Sequence, residues 1–447
     1  MIDRRQFLGA MTVAPLCRAL DVSSLAQTDG DDDEAFWAGV RREFRLDPHH
    51  VFLNTGTLGS CPRVVSETVI EAMRMMDERP TYGYWARGMP SAERVRQQAA
   101  ALLGAEPVEV TITHSTTEGI NIVGLGLDWR PGDRVLVSTH EHPGGRAIWD
   151  FLHHHRGIEV DFVDVPLSPK SADEIVELIQ RQISSRTRLV AVSHILYSTG
   201  LVMPVKEIGQ VAKQAGALYL VDGAHPVGLL RVNVKEIGCD FYAASGHKWL
   251  CGPRGTGLLY VRQEHLERLH RFVHAYSEHR VPADVGTLDR QVSRLNFVWT
   301  NNLHDILGLG AAIEFHQRLG PDRVYARNMA LINRLKKAVV TIPGVELISA
   351  FDGAMASPMA TLRLIGKSNK DVFQRLRDHY HITVKEVADA ELPQPLNAIR
   401  VSAHIYNTPT EIDRFAAALH DVMTEPLGPI SKPSWFCGGL EAWHGGD

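Results

Sequence analysis

The segment Cys239-Asp-Phe-Tyr-Ala-Ala-Ser245-Gly-His247-Lys248-Trp-Leu-Cys-Gly-Pro-Arg-Gly255-Thr-Gly257 decides the fold. It contains one apolar run, Phe241–Ala244, and leads into another, Gly257–Val261, with a lysine just past the first. The connection Ser245–Thr256 is short, so one strand pairing is expected to be antiparallel. Upstream, β-branched runs recur at Val108–Thr113, Arg134–Thr139, Glu159–Val165, Leu189–Ile195 and Ala217–Val221. Amphipathic stretches such as Ala172–Ile183 and Val205–Ala215 separate several of them. Strand–helix–strand alternation at this spacing requires crossovers. The expected architecture is therefore α/β, a mostly parallel seven-stranded sheet covered on both faces. Function in such a sheet collects outside the carboxyl ends of its strands. The unusual residues sit there: His114–Glu118, His140–His142, Tyr197–Gly200, Asp222–His225 and Ser245–Lys248.

Past residue 300 the pattern changes. Asp305–Leu319 and Arg323–Val340 read as two long helices. They are followed by Met359–Leu364, a helix at Lys370–His379, a strand near Ile382–Lys385, the segment Ala398–Ser402 and a helix at Glu411–Met423. A smaller α+β domain is expected over 301–425, after a large domain over 51–300. Residues 27–50 read as a linker and N-terminal segment, with the solvated acidic run Asp29–Glu34. Residues 426–447 are rich in Pro, Gly and Trp and have no period, so an irregular tail is expected.

The 447 residues carry 47 Lys+Arg against 52 Asp+Glu, a formal charge of −5. That near-balance excludes the basic footprint of a nucleic-acid binder. With 44% apolar and 22% charged residues, the chain can bury a large core. No run reaches the ~18 apolar residues of a stable membrane span. Five cysteines, Cys17, Cys61, Cys239, Cys251 and Cys437, are too sparse for a disulfide framework, and no Cys-x-x-Cys suggests zinc. Among the 22 histidines, His140 and His142 have the spacing of a metal pair. No third ligand stands at a useful spacing, so no metal is expected. Arg4-Arg5 before the apolar stretch Phe7–Leu16 resembles a twin-arginine export signal, with Ser24-Leu25-Ala26 as a cleavage site. A signal over 1–26, the export machinery as a partner, and a periplasmic or secreted enzyme are expected. The alternative is a cytoplasmic one.

A lysine at a strand's carboxyl end is unusual in an apolar core. Burial disfavours its charge and lowers its pKa, which fits Lys248 to form a Schiff base. Ser245 and His247 beside it can hydrogen-bond a phosphate. His114-Ser-Thr116-Thr117-Glu118 follows a strand and opens a helix, where backbone N–H groups and hydroxyls make an anion site. The same residue types also serve as ordinary N-caps.

Taken together, the small-small-His-Lys string, its spacer of six and the closing Gly-x-Gly resemble the pyridoxal-phosphate (PLP) signature of the class V aminotransferase superfamily. Segments from about Leu53 to Asp413 match in chain order, and the chain resembles isopenicillin N epimerase-like and cysteine desulfurase-like members. The resemblance implies a fold type I transferase with Lys248 as covalent anchor and base. Thr116 and Thr117 would hold the cofactor phosphate with Ser245 and His247. His142 would stack on its ring, and Asp222 would keep the ring nitrogen protonated. His225, and Tyr197 where desulfurases have Asn, would face the ring oxygen. Thr300, in Trp299-Thr300-Asn301-Asn302, would reach the partner site of a homodimer. Arg400 would clamp the substrate α-carboxylate, and Asn54 would border the substrate. The implied reaction is transamination or epimerisation of a small amino substrate. A C–S or other β-elimination lyase is the alternative, and a decayed PLP-binding protein the non-enzymatic one. A desulfurase needs a mobile cysteine shortly before the arginine, and Val384–Ala398 has none.

Overall fold

The computed structural model describes residues 33–276, 291–350, 352–387 and 395–426. The expected export signal and the tail past residue 426 lie outside them. Among the described residues, no helix is long and apolar enough to cross a membrane.

A short strand, β1 (Val51–Phe52), precedes the large sheet. The large sheet follows in seven strands: β2 (Val110–Thr113), β3 (Arg134–Ser138), β4 (Glu159–Val163), β5 (Thr187–Ser193), β6 (Leu218–Gly223), β7 (Phe241–Ser245) and β8 (Gly257–Val261). Their order is β2-β8-β7-β6-β5-β3-β4. Only β8 runs against its neighbours, pairing antiparallel with both β7 and β2. This is the reversal that the short Ser245–Thr256 connection requires. β5, β6 and β7 are central and almost wholly buried, as strands covered on both faces must be.

The smaller sheet is antiparallel, in the order β12-β13-β10-β9, from β9 (Val345–Leu347), β10 (Met359–Leu364), β12 (Lys385–Val387) and β13 (Ala398–Ser402). The helices Pro321–Val339 and Pro409–Thr424 cover it, closing a core around Leu335, Leu362, Ile399, Val401 and Phe415. The single strand expected near Ile382–Lys385 is split. β11 (Ile382–Thr383) pairs parallel with β1, while β12 pairs with β13, and buried Val384 is the pivot between them.

Three expectations about organisation are corrected. The boundary at residue 51 fails because Val51 and Leu53 lie in the small-domain core. The boundary at residue 300 fails because the helix Leu303–Leu319 packs against the helices Arg63–Glu78 and Met89–Leu103 of the large domain. That helix is buried on nearly every side, so its periodicity could not say which domain it joins. Gly320, at φ +84°, separates that helix from the next, Pro321–Val339. Third, Asp33 and Glu34 do not belong to a solvated linker. They form the first turn of the helix Asp33–Arg42, where carboxylates complement the helix dipole. Phe36 and Trp37 of that helix are buried, worth roughly 1.5–3 kcal/mol each.

Candidate active site

Lys248 leaves the end of β7, and the loop is fixed where Gly59 N–H donates to the His247 carbonyl at 2.8 Å. Burial lowers the Lys248 pKa to about 8; Asp222 opposes the shift and Arg400 reinforces it. Asp222 ends β6. One of its oxygens accepts from Ala224 N–H at 2.8 Å. Burial raises its pKa, against that hydrogen bond and the Lys248 charge. Each charge partly offsets the cost of burying the other, and burial outweighs that attraction for both.

At the other end of the cavity stands the N-terminus of the helix Thr116–Gly126. Ser115 caps it, accepting from Glu118 N–H at 3.2 Å. Thr116 Oγ1 and Ser245 Oγ lie 2.7 Å apart, joining β7 to this helix through hydroxyls. Helix-terminal N–H groups with a cluster of hydroxyls suit a phosphate. His247 Nδ1 lies 3.2 Å from the Thr256 carbonyl and donates to it. Its Nε2 can then donate only when the ring is protonated, which a phosphate dianion would favour.

His225 is buried, and its Nδ1 accepts from Trp249 Nε1–H at 3.2 Å. Burial holds its pKa well below the usual range, so the ring is neutral with its proton on Nε2. His142 caps the helix Pro143–Arg156, its Nδ1 accepting from Gly144 N–H at 3.0 Å. The ring is open to the cleft yet walled by protein. Burial first, then the Lys248, Arg400 and Lys385 cations, push its pKa down to about 4. Tyr197 meets it edge-on at 5.1 Å. The His-x-His pair is split, because His140 Nδ1 meets Ser198 Oγ and its Nε2 meets the Val165 carbonyl, both at 2.9 Å. Glu141 between them ties β3 to β5 through Ser138 and Ser193. Its burial raises its pKa to about 7.

Arg400, on β13, is 2% exposed. It donates to the Tyr197 carbonyl at 2.6 Å and to Thr57 Oγ1 at 3.3 Å, while its Nε has no partner among the described residues. A Cβ on residue 56 would stand 3.0 Å from the guanidinium and 2.8 Å from Ser402 Oγ, so only glycine fits at Gly56.

These groups enclose a cavity of about 270 Å³. The hydroxyl cluster, the buried carboxylate facing a lysine of lowered pKa and the orphaned Arg400 Nε fit a phosphorylated aldehyde bound beside an amino acid. Gly145 keeps the floor open, since a Cβ there would stand 3.1 Å from an Asp222 oxygen. The sequence profile of the family described as Aminotransferase class-V matches residues 51–415.

The chain belongs to the class-V aminotransferase family.

Isopenicillin N epimerase of Streptomyces clavuligerus is 31% identical over 399 residues, 87% of this chain and 99% of that protein. A probable cysteine desulfurase of Methanothermobacter thermautotrophicus is also 31% identical, over 86% of this chain and 97% of its own length. Among solved structures, the apo cysteine desulfurase of Thermococcus onnurineus NA1 superposes with a TM-score of 0.75 at 25% identity, over 86% of this chain and 98% of that one. A C-DES mutant with glycine covalently linked to the PLP cofactor gives 0.76 at 26%, over 85% and 99%. This class-V chain is thus a fold type I, PLP-dependent enzyme.

The cavity of this class-V enzyme brings together Lys248, Asp222, Thr116, Thr117, His142, Tyr197, His225, Ser245, His247 and Arg400. It does not bring in Thr300 or Asn54. Thr300 is exposed, on a segment held where Tyr84 Oη accepts from Asn301 N–H at 2.5 Å. Asn54 bridges to Ser402 and accepts from Thr57 Oγ1 at 2.8 Å. It therefore stands one residue back, positioning the threonine that touches Arg400. Sequence reasoning missed Thr57, Ser115, Gly145, Ser193, Trp249 and Lys385. Ser115 carried an N-cap signal; Trp249 and Lys385 carried none, since only tertiary contacts give them their places.

Proposed function

We propose that this PLP enzyme removes the Cα proton of a small amino substrate and delivers a proton elsewhere as a transaminase or back to Cα as an epimerase. The carrying observation is the pairing of buried Asp222 with Lys248, whose ammonium gives up its proton more readily than an ordinary lysine's, in a cavity that ends on Arg400. When bound, the cofactor supplies an aldehyde for the substrate amine and a ring that accepts electron density from Cα. Ser115, Thr116, Thr117 and Ser245 hold its phosphate. Asp222 keeps a proton on the ring nitrogen, and His225 offers Nε2–H to a ring oxygen. Arg400 holds the α-carboxylate through its fork and so sets which Cα bond is oriented for cleavage. The Lys248 amine takes the Cα proton as general base.

The test is Cα–H exchange in D2O, followed by NMR over an amino-acid panel, with keto acid, pyruvate and the opposite enantiomer scored. Exchange with keto acid identifies a transaminase; exchange with racemisation identifies an epimerase. Pyruvate from a sulfur amino acid identifies the lyase, a reading supported by the desulfurase relatives but weakened by the lack of cysteine over Val384–Ala398. A coloured, loaded protein that exchanges nothing would mark a decayed binding protein. The same preparation is expected to be a homodimer, with a light-scattering mass about twice the chain's 49.6 kDa. Trp85 and Trp299, both exposed and 6.4 Å apart beside Thr300, support that reading.

Export is proposed on Arg4-Arg5 alone. A twin-arginine route carries folded protein, which suits a fold that binds its cofactor before leaving the cytoplasm. Fractionation of the native host should find the wild type outside the cytoplasm and the double variant Arg4→Lys/Arg5→Lys inside it. Equal retention of both forms would end this reading.

A further inference from the structure

Trp249 directly follows the anchor lysine but does not line the cavity. Its ring is buried with Ile195, Leu229 and Met359. A core position of that kind needs only an apolar ring, yet this one spends a hydrogen bond on the active site. The indole Nε1–H donates to His225 Nδ1 at 3.2 Å. An indole nitrogen can only donate, so His225 Nδ1 must be the bare, accepting nitrogen. In a neutral imidazole the proton then sits on the other nitrogen. His225 lines the cavity, and among the described residues only Trp249 meets its ring nitrogens. Nε2–H is thereby left for the occupant of the cavity.

The indole is in turn held from the small domain. His404, on the segment leaving β13, accepts at Nδ1 from Ile405 N–H at 2.8 Å. Its Nε2–H is left to donate to the Trp249 carbonyl at 2.9 Å. The His404 and Trp249 rings stack at 5.6 Å and 28°, and Tyr406 stacks on His404 at 5.0 Å and 21°. Swinging the indole away from His225 would break this stack. The charges around His225 do not replace the indole. Burial, then Lys248, Arg400 and His142, disfavour the imidazolium, and Asp222 lines the same cavity. None of these groups chooses between the two neutral tautomers. Without the indole, Nδ1 could carry the proton and Nε2 would face the cavity bare.

We propose that Trp249 is a positioning residue that, through His225, keeps a hydrogen-bond donor aimed at the ring oxygen of the cofactor. This rests on the placement of His225 against that oxygen proposed above. A donor there stabilises the anionic oxygen. Losing it makes the oxygen hold its shared proton more tightly, so the chromophore titrates at higher pH.

The test is a pH titration of the holoenzyme's visible chromophore in a double-mutant cycle. His225→Phe removes the donor outright and should raise the midpoint by about one to two units, the range of one hydrogen bond to a charged group. Trp249→Phe keeps the imidazole but frees its Nδ1, and should raise the midpoint by about half a unit or more. Added to His225→Phe, the same substitution should change almost nothing. An equal shift in both backgrounds would show that the indole only packs, and would overturn the positioning role. A His225→Phe protein with the wild-type midpoint would overturn the placement of His225, and this inference with it. A second measurement leaves Trp249 untouched: NMR of wild-type holoenzyme labelled at the histidine nitrogens. The His225 signals, identified by their loss in His225→Phe, should show a protonated Nε2 and a bare Nδ1. A proton on Nδ1 would overturn the proposal.

Discussion

Lys248→Ala is expected to abolish both turnover and the borohydride-sensitive visible absorption, while the chain still folds. The lysine supplies the covalent anchor and the general base, and a positioned base alone contributes about 10²–10⁴-fold. Loss of both functions should take Cα–H exchange below detection. The fold should survive because the loop is held through main-chain contacts, including the His247 carbonyl and Gly59 N–H. Stability should even improve in the cofactor-free protein. The Lys248 pKa falls from 10.5 to about 8 on folding, so the folded state binds its proton less well than the unfolded chain does. The resulting penalty is on the order of 3 kcal/mol, fully present below about pH 8 and gone above the unfolded value. Thermal melts of both cofactor-free proteins should therefore show the variant more stable at pH 7, with the gap closing as the pH rises past 10. A variant that kept the reducible absorption would show that another residue carries the anchor.

Asp222→Asn should keep the colour and lose most of the rate. The substitution preserves shape and can retain the hydrogen bond from Ala224 N–H, but it removes the only carboxylate lining the cavity among the described residues. Unit charges ~3 Å apart at an effective dielectric constant of ~20 interact by roughly 5 kcal/mol. Removing that stabilisation of the protonated ring nitrogen should slow Cα–H exchange by about 10³-fold or more. The matching readout is phosphate-end binding, which should change little because Ser115, Thr116 and Ser245 are untouched. A rate within tenfold of wild type would remove Asp222 from the chemistry.

The seven strands of the large sheet were legible because strands buried on both faces read as short β-branched runs with helices between them. The strand-end rule then located Thr116, His142, Asp222 and Lys248. Other features depended on distant partners. The helices Arg63–Glu78 and Met89–Leu103 were not read, since Pro80, Gly83, Gly88 and Pro90 interrupt the period between and at the edge of them. Glu34 read as solvated because its partner, Arg327, lies on a helix far along the chain. Arg400 was found through family resemblance alone, and Lys385 was not found. A cation on a three-residue strand has no sequence signal until its ladder partner is known. Asn54 shows the opposite case, in which a motif match placed a residue at a cavity that it does not line, while Thr300 was expected at the partner's site and lies outside the cavity of its own chain.

The pairing of β1 with β11 has a consequence for the order in which the molecule matures. Val51 is among the first folded residues to leave the ribosome, and Ile382 among the last. The large sheet, with Lys248 and Asp222, can close while the C-terminal third is still being made. β1 must wait, with its apolar residues uncovered, until β11 arrives. Pairings that close so long a stretch of chain form late. Arg400 comes from the same late part of the chain. The anchor for the cofactor is therefore in place before the site can recognise any carboxylate, and the nascent enzyme acquires its chemistry before its selectivity.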